Sequence, residues 1–491
     1  MGEVRGEKAA SSLMFKLLES FGMQGIAFVV GLVLARLLDP TDYGVLGMLT
    51  VFIAFSQVFV QSGLNTALIQ KKDADETDFS SAFWLSLGVA LALYLLLFAF
   101  APLICRLMKR PEITPVLRVL ALILIPGALV SIQGAAVARR MQFRRMMLCS
   151  LCATVVSGAV GIGMASAGMR YWALVGQQLS NQLCLAVLLL IFISWRPKRL
   201  FSWQRVSGLL RYGWKLLVSG VLETGYVNLR SLVIGLKYDT AALGYFTRGK
   251  QFPELVMNAV NGSIQSVMLP VLSREQDDKT RMKELMRRSV KTSSFVVLPL
   301  MAGLAGVAAP MVTLLIGEKW LPCVPFLQIC CIDFAFYPIH TANLQAINAM
   351  GRSDVFLKLE LIKKSYGLAI LFIALLCFDT PIAIAWGAAI STLLSALVNA
   401  SPNRKLLGYG YLEQMRDVLP SVLMALAMFG VVLLMGSLPL APIVLLPLQV
   451  LTGVVIYLGL ALVTRSDSLQ FLLETLRGLL SRSRAKEEET V

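Results

Sequence analysis

Long apolar runs separated by short polar connections recur along this chain. A helix needs about 20 mostly apolar residues to cross the hydrocarbon of a bilayer, and by that measure the runs predict about 14 spanning helices. Their cores fall near 12–37, 43–69, 82–105, 115–137, 146–168, 171–194, 212–235, 250–272, 289–316, 322–349, 355–377, 381–401, 417–436 and 442–464. The first run lacks a small-residue cleavage site, so it reads as a retained helix and not as a removed signal peptide. Beyond the last, Ser468 to Arg477 reads as an amphipathic helix lying on the membrane surface, and Arg482 to Glu489 as disordered.

The runs also repeat in parallel at an offset of about 200 residues. Leu37-Leu38-Asp39-Pro40-Thr41-Asp42-Tyr43-Gly44 is answered by Lys237-Tyr238-Asp239-Thr240-Ala241-Ala242-Leu243-Gly244, which places Asp39 over Asp239 and Gly44 over Gly244. Gln61 then falls on Asn261, Asn65 on Gln265 and Thr66 on Ser266. A duplicated membrane domain points to two lobes around one central site, the architecture of a transporter.

Polar residues inside the spans are where function is sought, because a charge at the centre of a lipid-facing helix costs roughly 2.5–3.5 kcal/mol on insertion scales. Helical spacing gathers them into faces. In the second span these are Gln57, Gln61 and Asn65; in the seventh, Glu223, Tyr226 and Arg230; in the eighth, Glu254, Asn258, Asn261 and Gln265. The tenth carries Asp333, Tyr337, His340 and Asn343 at i, i+4, i+7 and i+10. Such faces either bond helix to helix or line a hydrated cavity. The charged sets, Glu223 with Arg230 and Asp333 with His340, favour the cavity. Amides and aromatic hydroxyls suit the hydroxyls of a sugar, and a cation suits a phosphate. A carboxylate and an imidazole two turns apart are candidates for ion coupling.

Composition sets the solvent. With 57% hydrophobic and 15% charged residues in 491 and a mean hydropathy of +0.73, the chain is a polytopic membrane protein. Its net charge of +16 invites a nucleic-acid reading, but the distribution decides against one. With a cytoplasmic N-terminus, inner loops and tails hold about 32 Lys and Arg and outer loops about 8, which specifies orientation. No base-stacking aromatics interleave with the basic clusters. Of the eight cysteines, Cys149 and Cys152 have CxxC spacing, but no second pair or histidine stands near them, and His340 is the only histidine. No metal site and no cofactor are expected. The loops are too short for a soluble catalytic domain, and no Walker A, GxSxG or HExxH motif occurs.

The run Leu34-Ala35-Arg36-Leu37-Leu38-Asp39-Pro40 with Asp42-Tyr43-Gly44, then Ala67-Leu68-Ile69-Gln70-Lys71-Lys72, then Gly317-Glu318-Lys319-Trp320, resembles the polysaccharide transporter family. The similarity is to the Wzx-type, colanic and teichuronic acid exporter-like branch of the superfamily that also holds multidrug extruders and the lipid II flippase. It implies an all-α protein of two six-helix bundles plus a C-terminal helix pair, with boundaries here at 1–205, 206–410 and 411–466 and a cytoplasmic tail at 467–491. It also implies a substrate, an oligosaccharide linked through pyrophosphate to undecaprenol, moved to the periplasmic leaflet of the bacterial inner membrane. Membrane lipids and the pathway's polymerase and glycosyltransferases are the further expected partners. The family supplies no residue-by-residue site motif, so the candidate residues rest on the helical faces. A multidrug-type or other cation-coupled antiporter of the same fold is the alternative, expected to have a more apolar, aromatic cavity.

Overall fold

Side-chain caps start three of the helices, with Asp75, Asp278 and Thr380 each accepting from a backbone amide in the first turn. The computed structural model describes residues 22–61 and 63–474, and among them every regular element is helical. The first half comprises α1 (Gly22–Leu37), α2 (Pro40–Gln61), α3 (Leu64–Gln70), α4 (Glu76–Leu107), α5 (Thr114–Leu120), α6 (Leu124–Arg140), α7 (Phe143–Ser166) and α8 (Tyr171–Phe192). Then follow α9 (Trp203–Lys237), α10 (Thr240–Arg274), α11 (Lys279–Gly306), α12 (Ala308–Leu315), α13 (Val324–Ala335), α14 (Tyr337–Ala349) and α15 (Ser353–Cys377). Last come α16 (Pro381–Leu407), α17 (Tyr411–Met435) and α18 (Pro442–Val463). The cap of α4 shows the local logic. Asp75 accepts from the Asp78 amide at 2.9 Å, and Asp78 returns the bond to the Asp75 amide at 3.1 Å, closing a capping box.

Ten helical stretches among the described residues are long and apolar enough to cross a bilayer. Helices α9, α10 and α15 stand where the seventh, eighth and eleventh spans were expected and are long enough to cross, but they are not among those ten. The part of the first expected span before Gly22 lies outside the described residues. So do the charged tail and the amphipathic segment beyond Glu474; the segment's residues 468–474 are helical.

The chain divides into two compact units, Met1–Thr247 and Arg248–Val491. In the first, Leu64, Phe79, Phe83, Ile132 and Trp195 form a core that joins α3, α4 and α6. Helix α9 lies along α2 with glycine at the close points. A Cβ on Gly220 would meet Val58 at 3.0 Å, one on Gly225 would meet Phe55 at 3.4 Å, and one on Gly235 would meet Met48 at 2.7 Å.

The repeat is visible as a reciprocal contact within this unit. A Cβ on Gly44 would fall 1.6 Å from the Thr240 carbonyl oxygen, and one on Gly244 would fall 2.0 Å from that of Pro40. The N-termini of α2 and α10 therefore cross with each glycine against the other helix's first residue, the pattern of an isologous contact.

Two prolines interrupt corresponding helices, and in both cases a side chain repairs the damage. Pro102 in α4 and Pro299 in α11 have no N–H, so the carbonyls of Phe98 and Phe295, four residues back, lose their helical donors. Water cannot replace those donors within a bilayer. Arg118 Nε donates to the Phe98 carbonyl at 3.2 Å, and Tyr457 Oη donates to that of Phe295 at 2.8 Å.

Candidate substrate-transport site

In the first unit the candidate residues lie on α2, α3 and α9. Gln57 is half-buried and Gln61 exposed on α2, while Asn65 is half-buried on α3, its Oδ1 enclosed and without a hydrogen-bond partner among the described residues. Helix α9 packs along α2 through its glycines and carries the other polar positions of this unit. The Arg230 guanidinium stands 5.7 Å from the centre of the Tyr226 ring one turn away, a cation–π distance. Glu223 is exposed. Seven residues of helix rise separate Glu223 from Arg230 by about 10 Å, so the arginine's local neighbour is the aromatic face.

In the second unit the structure joins the expected residues to helices that the sequence had not connected. Glu254 pairs with Lys250 at 3.8 Å on the same helix. Asn261 on α10 accepts a hydrogen bond from Thr341 on α14 at 2.5 Å. Asn258 and Gln265 are exposed. Asp333 accepts from the Thr392 hydroxyl of α16. His340 Nδ1 lies 3.1 Å from the Asn399 amide, its ring edge-on to Tyr337 at 6.0 Å. Its Nε2 is enclosed with no hydrogen-bond partner among the described residues.

The tenth span differs from expectation in one respect. It is broken at Phe336 between α13 and α14, so Asp333 and His340 do not share one uninterrupted helical face. Pro338, early in α14, supplies the reason: it lacks an N–H and crowds the carbonyl of Phe334. Both side chains nonetheless reach α16, Asp333 through Thr392 and His340 through Asn399.

Asn343 is fully buried in an amide cluster. Its Nδ2 donates to Gln414 Oε1 at 2.8 Å, while its Oδ1 accepts from Asn403 at 2.7 Å and from Gln414 at 3.0 Å. This ties α14 to α16 and α17. Beside it, Arg287 of α11 donates twice to Asp417 of α17 at 2.7 Å, and Tyr409 donates to the same carboxylate at 2.9 Å. Lys283 pairs with Glu413 at 3.0 Å. Sequence reasoning missed Thr392, Asn399, Asn403, Gln414 and Asp417. A signal existed for one pair, since Asn399 and Asn403 sit at i, i+4 on one helical face.

A cavity of about 730 Å³ lies in this unit between α11, α13, α16 and α17, walled by Met301, Ile329, Trp386, Leu426 and Phe429. Its lining is nearly all apolar, and Gln328 on its rim spends its amide on the Ala305 carbonyl at 3.1 Å. None of the predicted site residues lines it. No group of three or more His, Cys, Asp and Glu side chains is arranged to hold a metal ion among the described residues.

A family model described as polysaccharide biosynthesis protein matches residues 33–325. The chain is 23% identical over 396 residues to the succinoglycan biosynthesis transport protein ExoT of Rhizobium meliloti (strain 1021), covering 80% of this chain and 77% of that one. It is 23% identical over 401 residues to the lipopolysaccharide biosynthesis protein WzxC of Escherichia coli (strain K12), with 80% and 79% covered. The teichuronic acid biosynthesis protein TuaB of Bacillus subtilis (strain 168) is 24% identical over 433 residues, with 83% and 85% covered. Among solved structures, the lipid II flippase MurJ in its inward closed conformation superposes with a TM-score of 0.75 at 16% identity, over 93% of this chain and 99% of that one. An inward-facing multidrug resistance transporter of the MATE family gives 0.61 at 13% identity, over 81% and 95%. These two likenesses are likenesses of fold.

Proposed function

The chain belongs to the polysaccharide biosynthesis protein family, and from that premise we propose that it is a flippase for undecaprenyl-pyrophosphate-linked oligosaccharide. It carries the repeat unit from the cytoplasmic to the periplasmic leaflet by alternating access. The observation that carries this reading is the family match over 33–325 on an all-helical, multi-pass chain. Its relatives carry names in succinoglycan transport and in lipopolysaccharide and teichuronic acid biosynthesis. The fold is shared with both a lipid flippase and a multidrug transporter, so fold alone does not choose between those substrates, and the relatives' names favour the glycan.

In this reading the sugar head group occupies a hydrated cavity while the prenyl tail stays in lipid, so the protein need not bury the tail. Gln57, Gln61, Asn65, Asn258, Asn261 and Gln265 supply amides for sugar hydroxyls, with Tyr226 and Tyr337 as aromatic faces. Arg230 meets the pyrophosphate or an acidic sugar, its charge steadied by the Tyr226 ring. Glu223 and Glu254 add acceptors. Asp333 and His340 are the proposed coupling pair, held on α16 by Thr392 and Asn399. Asn343 holds the helices in place through its amide cluster. The protein works without covalent chemistry, in the inner membrane, with both termini cytoplasmic.

Deleting the gene tests the reading. Radiolabelled lipid-linked oligosaccharide should accumulate on the inner leaflet of the deletion strain, and a surface glycan assembled at the normal rate would refute it. Orientation has its own check: reporter fusions after Arg145 and after Arg288 should both read cytoplasm, and periplasmic activity at both would reverse the topology.

A further inference from the structure

The first turns of α11 carry a run of cations, and the structure pairs them unevenly. Lys283 meets Glu413 at 3.0 Å, Arg287 meets Asp417 at 2.7 Å and Lys291 meets Asp467 at 3.6 Å. Arg281 is paired with Glu284 at 3.3 Å on the helix itself. Arg288 lies among them, exposed, and pairs with no acid among the described residues. Its guanidinium instead sits over the ring of Phe471, 3.5 Å from the centroid. The neighbouring carboxylates are thus matched by other cations, and the charge of Arg288 is left over. Arg288 also stands immediately before the apolar run of α11, which places that charge at head-group depth.

Phe471 belongs to a helix at 467–474 that follows α18. The turn between the two is made by Arg465 at a φ of 50°, with the Ser466 amide bonded back to the Ala461 carbonyl at 3.0 Å. That left-handed position at a helix end normally takes glycine. Here it holds a second exposed cation, two residues before the partner of Lys291. Along the helix at 467–474, Leu469, Leu472 and Leu473 recur at i, i+3 and i+4, half-buried or exposed. This is the spacing of an apolar edge that lies in a membrane interface.

Contact with an aromatic face engages the flat surface of a guanidinium and leaves the N–H donors at its edge. Those donors form the fork that binds two oxygens of a phosphate at once. We propose that Arg288 and Phe471 form a binding site for the phosphate of an anionic phospholipid, in the leaflet at this end of α11, which is the inner leaflet in the orientation proposed above. The phosphate meets the edge of Arg288, and the hydrocarbon chains lie along Leu469, Leu472 and Leu473. Phe471 is the positioning residue, and bound lipid fastens the helix at 467–474 to α11. A zwitterionic phospholipid carries its own ammonium beside the phosphate and is the weaker ligand. The site does not depend on what the protein transports.

Lipid titration tests it. Full-length protein in neutral detergent would be titrated with fluorescent phosphatidylglycerol, and separately with phosphatidylcholine bearing the same label. Phosphatidylglycerol should bind about tenfold more tightly. Arg288→Gln should weaken it about fivefold. Phe471→Leu keeps an apolar side chain but removes the ring face, and should weaken it about threefold at an unchanged unfolding temperature. Arg281→Gln removes the same charge from the same helix and should change the affinity by less than about twofold. Equal losses from Arg281→Gln and Arg288→Gln would overturn the proposal, leaving only the general attraction of a basic surface for anionic lipid. Equal affinity for the two lipids would overturn it as well, and wild-type affinity in Phe471→Leu would remove the ring from the site. Displacement of the labelled lipid by excess inorganic phosphate would reassign the site to a free anion.

Discussion

Tyr457→Phe removes one oxygen atom and should reveal why a tyrosine is needed there. The side chain is only 5% exposed, its ring is 5.1 Å from that of Phe295, and its hydroxyl donates to the Phe295 carbonyl at 2.8 Å. Side-chain hydrogen bonds in membrane proteins average about 0.6 kcal/mol with a maximum near 1.7, because alternative partners are usually found. Here the acceptor has lost its helical donor to Pro299, and an unsatisfied buried carbonyl costs about 1–3 kcal/mol. The second effect governs, so Tyr457→Phe should destabilise by about 1–2 kcal/mol. Pro299→Ala returns an N–H to the same carbonyl, and in that background the tyrosine substitution should cost under about 0.5 kcal/mol. A double-mutant cycle by equilibrium unfolding in mixed micelles measures the difference as a coupling of about 1 kcal/mol. Equal costs in both backgrounds would show that the hydroxyl does not serve the freed carbonyl.

Three further outcomes are expected. Arg230→Ala should abolish export with protein level and insertion intact, whereas Arg230→Lys should retain part of it because the point charge survives; normal export by the alanine variant would remove Arg230 from the site. Asp333→Asn should flatten the pH dependence of transport in reconstituted vesicles and uncouple it from an imposed pH gradient, and a wild-type response would exclude Asp333 from coupling. The Asp78 amide bonded to Asp75 holds that carboxyl below its ordinary range, with the charge of Arg205 helping against partial desolvation. A depressed folded-state value stabilises above the unfolded pKa of about 3.9 and fades as pH falls through the folded one. The stability advantage of the wild type over Asp75→Asn should therefore shrink between about pH 5 and pH 3, and a pH-independent difference would contradict the cap's electrostatic role.

Much of the fold was legible because bilayer thickness converts directly into sequence length. The repeat was legible too, since Asp39, Gly44, Asp239 and Gly244 mark two helix starts in the same register. What the alignment could not convey is that these glycines face each other, because proximity between segments 200 residues apart is a tertiary fact. The polar faces were found by period, but period does not name a neighbour. Asp333 turned out to face Thr392, and His340 to face Asn399. Asn343 belonged with Asn403 and Gln414, two amides on other helices whose proximity to it appears only when the three helices are brought together. The break at Phe336 was signalled by Pro338, yet a proline inside a membrane helix often kinks without ending it. Arg118 lies within a short helix, and only the geometry connects it to the carbonyl that Pro102 leaves free.

Transfer of the lipid itself is the most direct test. Purified full-length protein would be reconstituted into sealed vesicles with undecaprenyl-pyrophosphate-linked oligosaccharide in both leaflets, and the labelled sugar exposed outside would be followed with an impermeant glycosidase. The account predicts that the protected inner pool becomes accessible in vesicles containing the protein, and that Arg230→Ala vesicles behave as protein-free ones. Protection of the inner pool that is the same with and without the wild-type protein would contradict it.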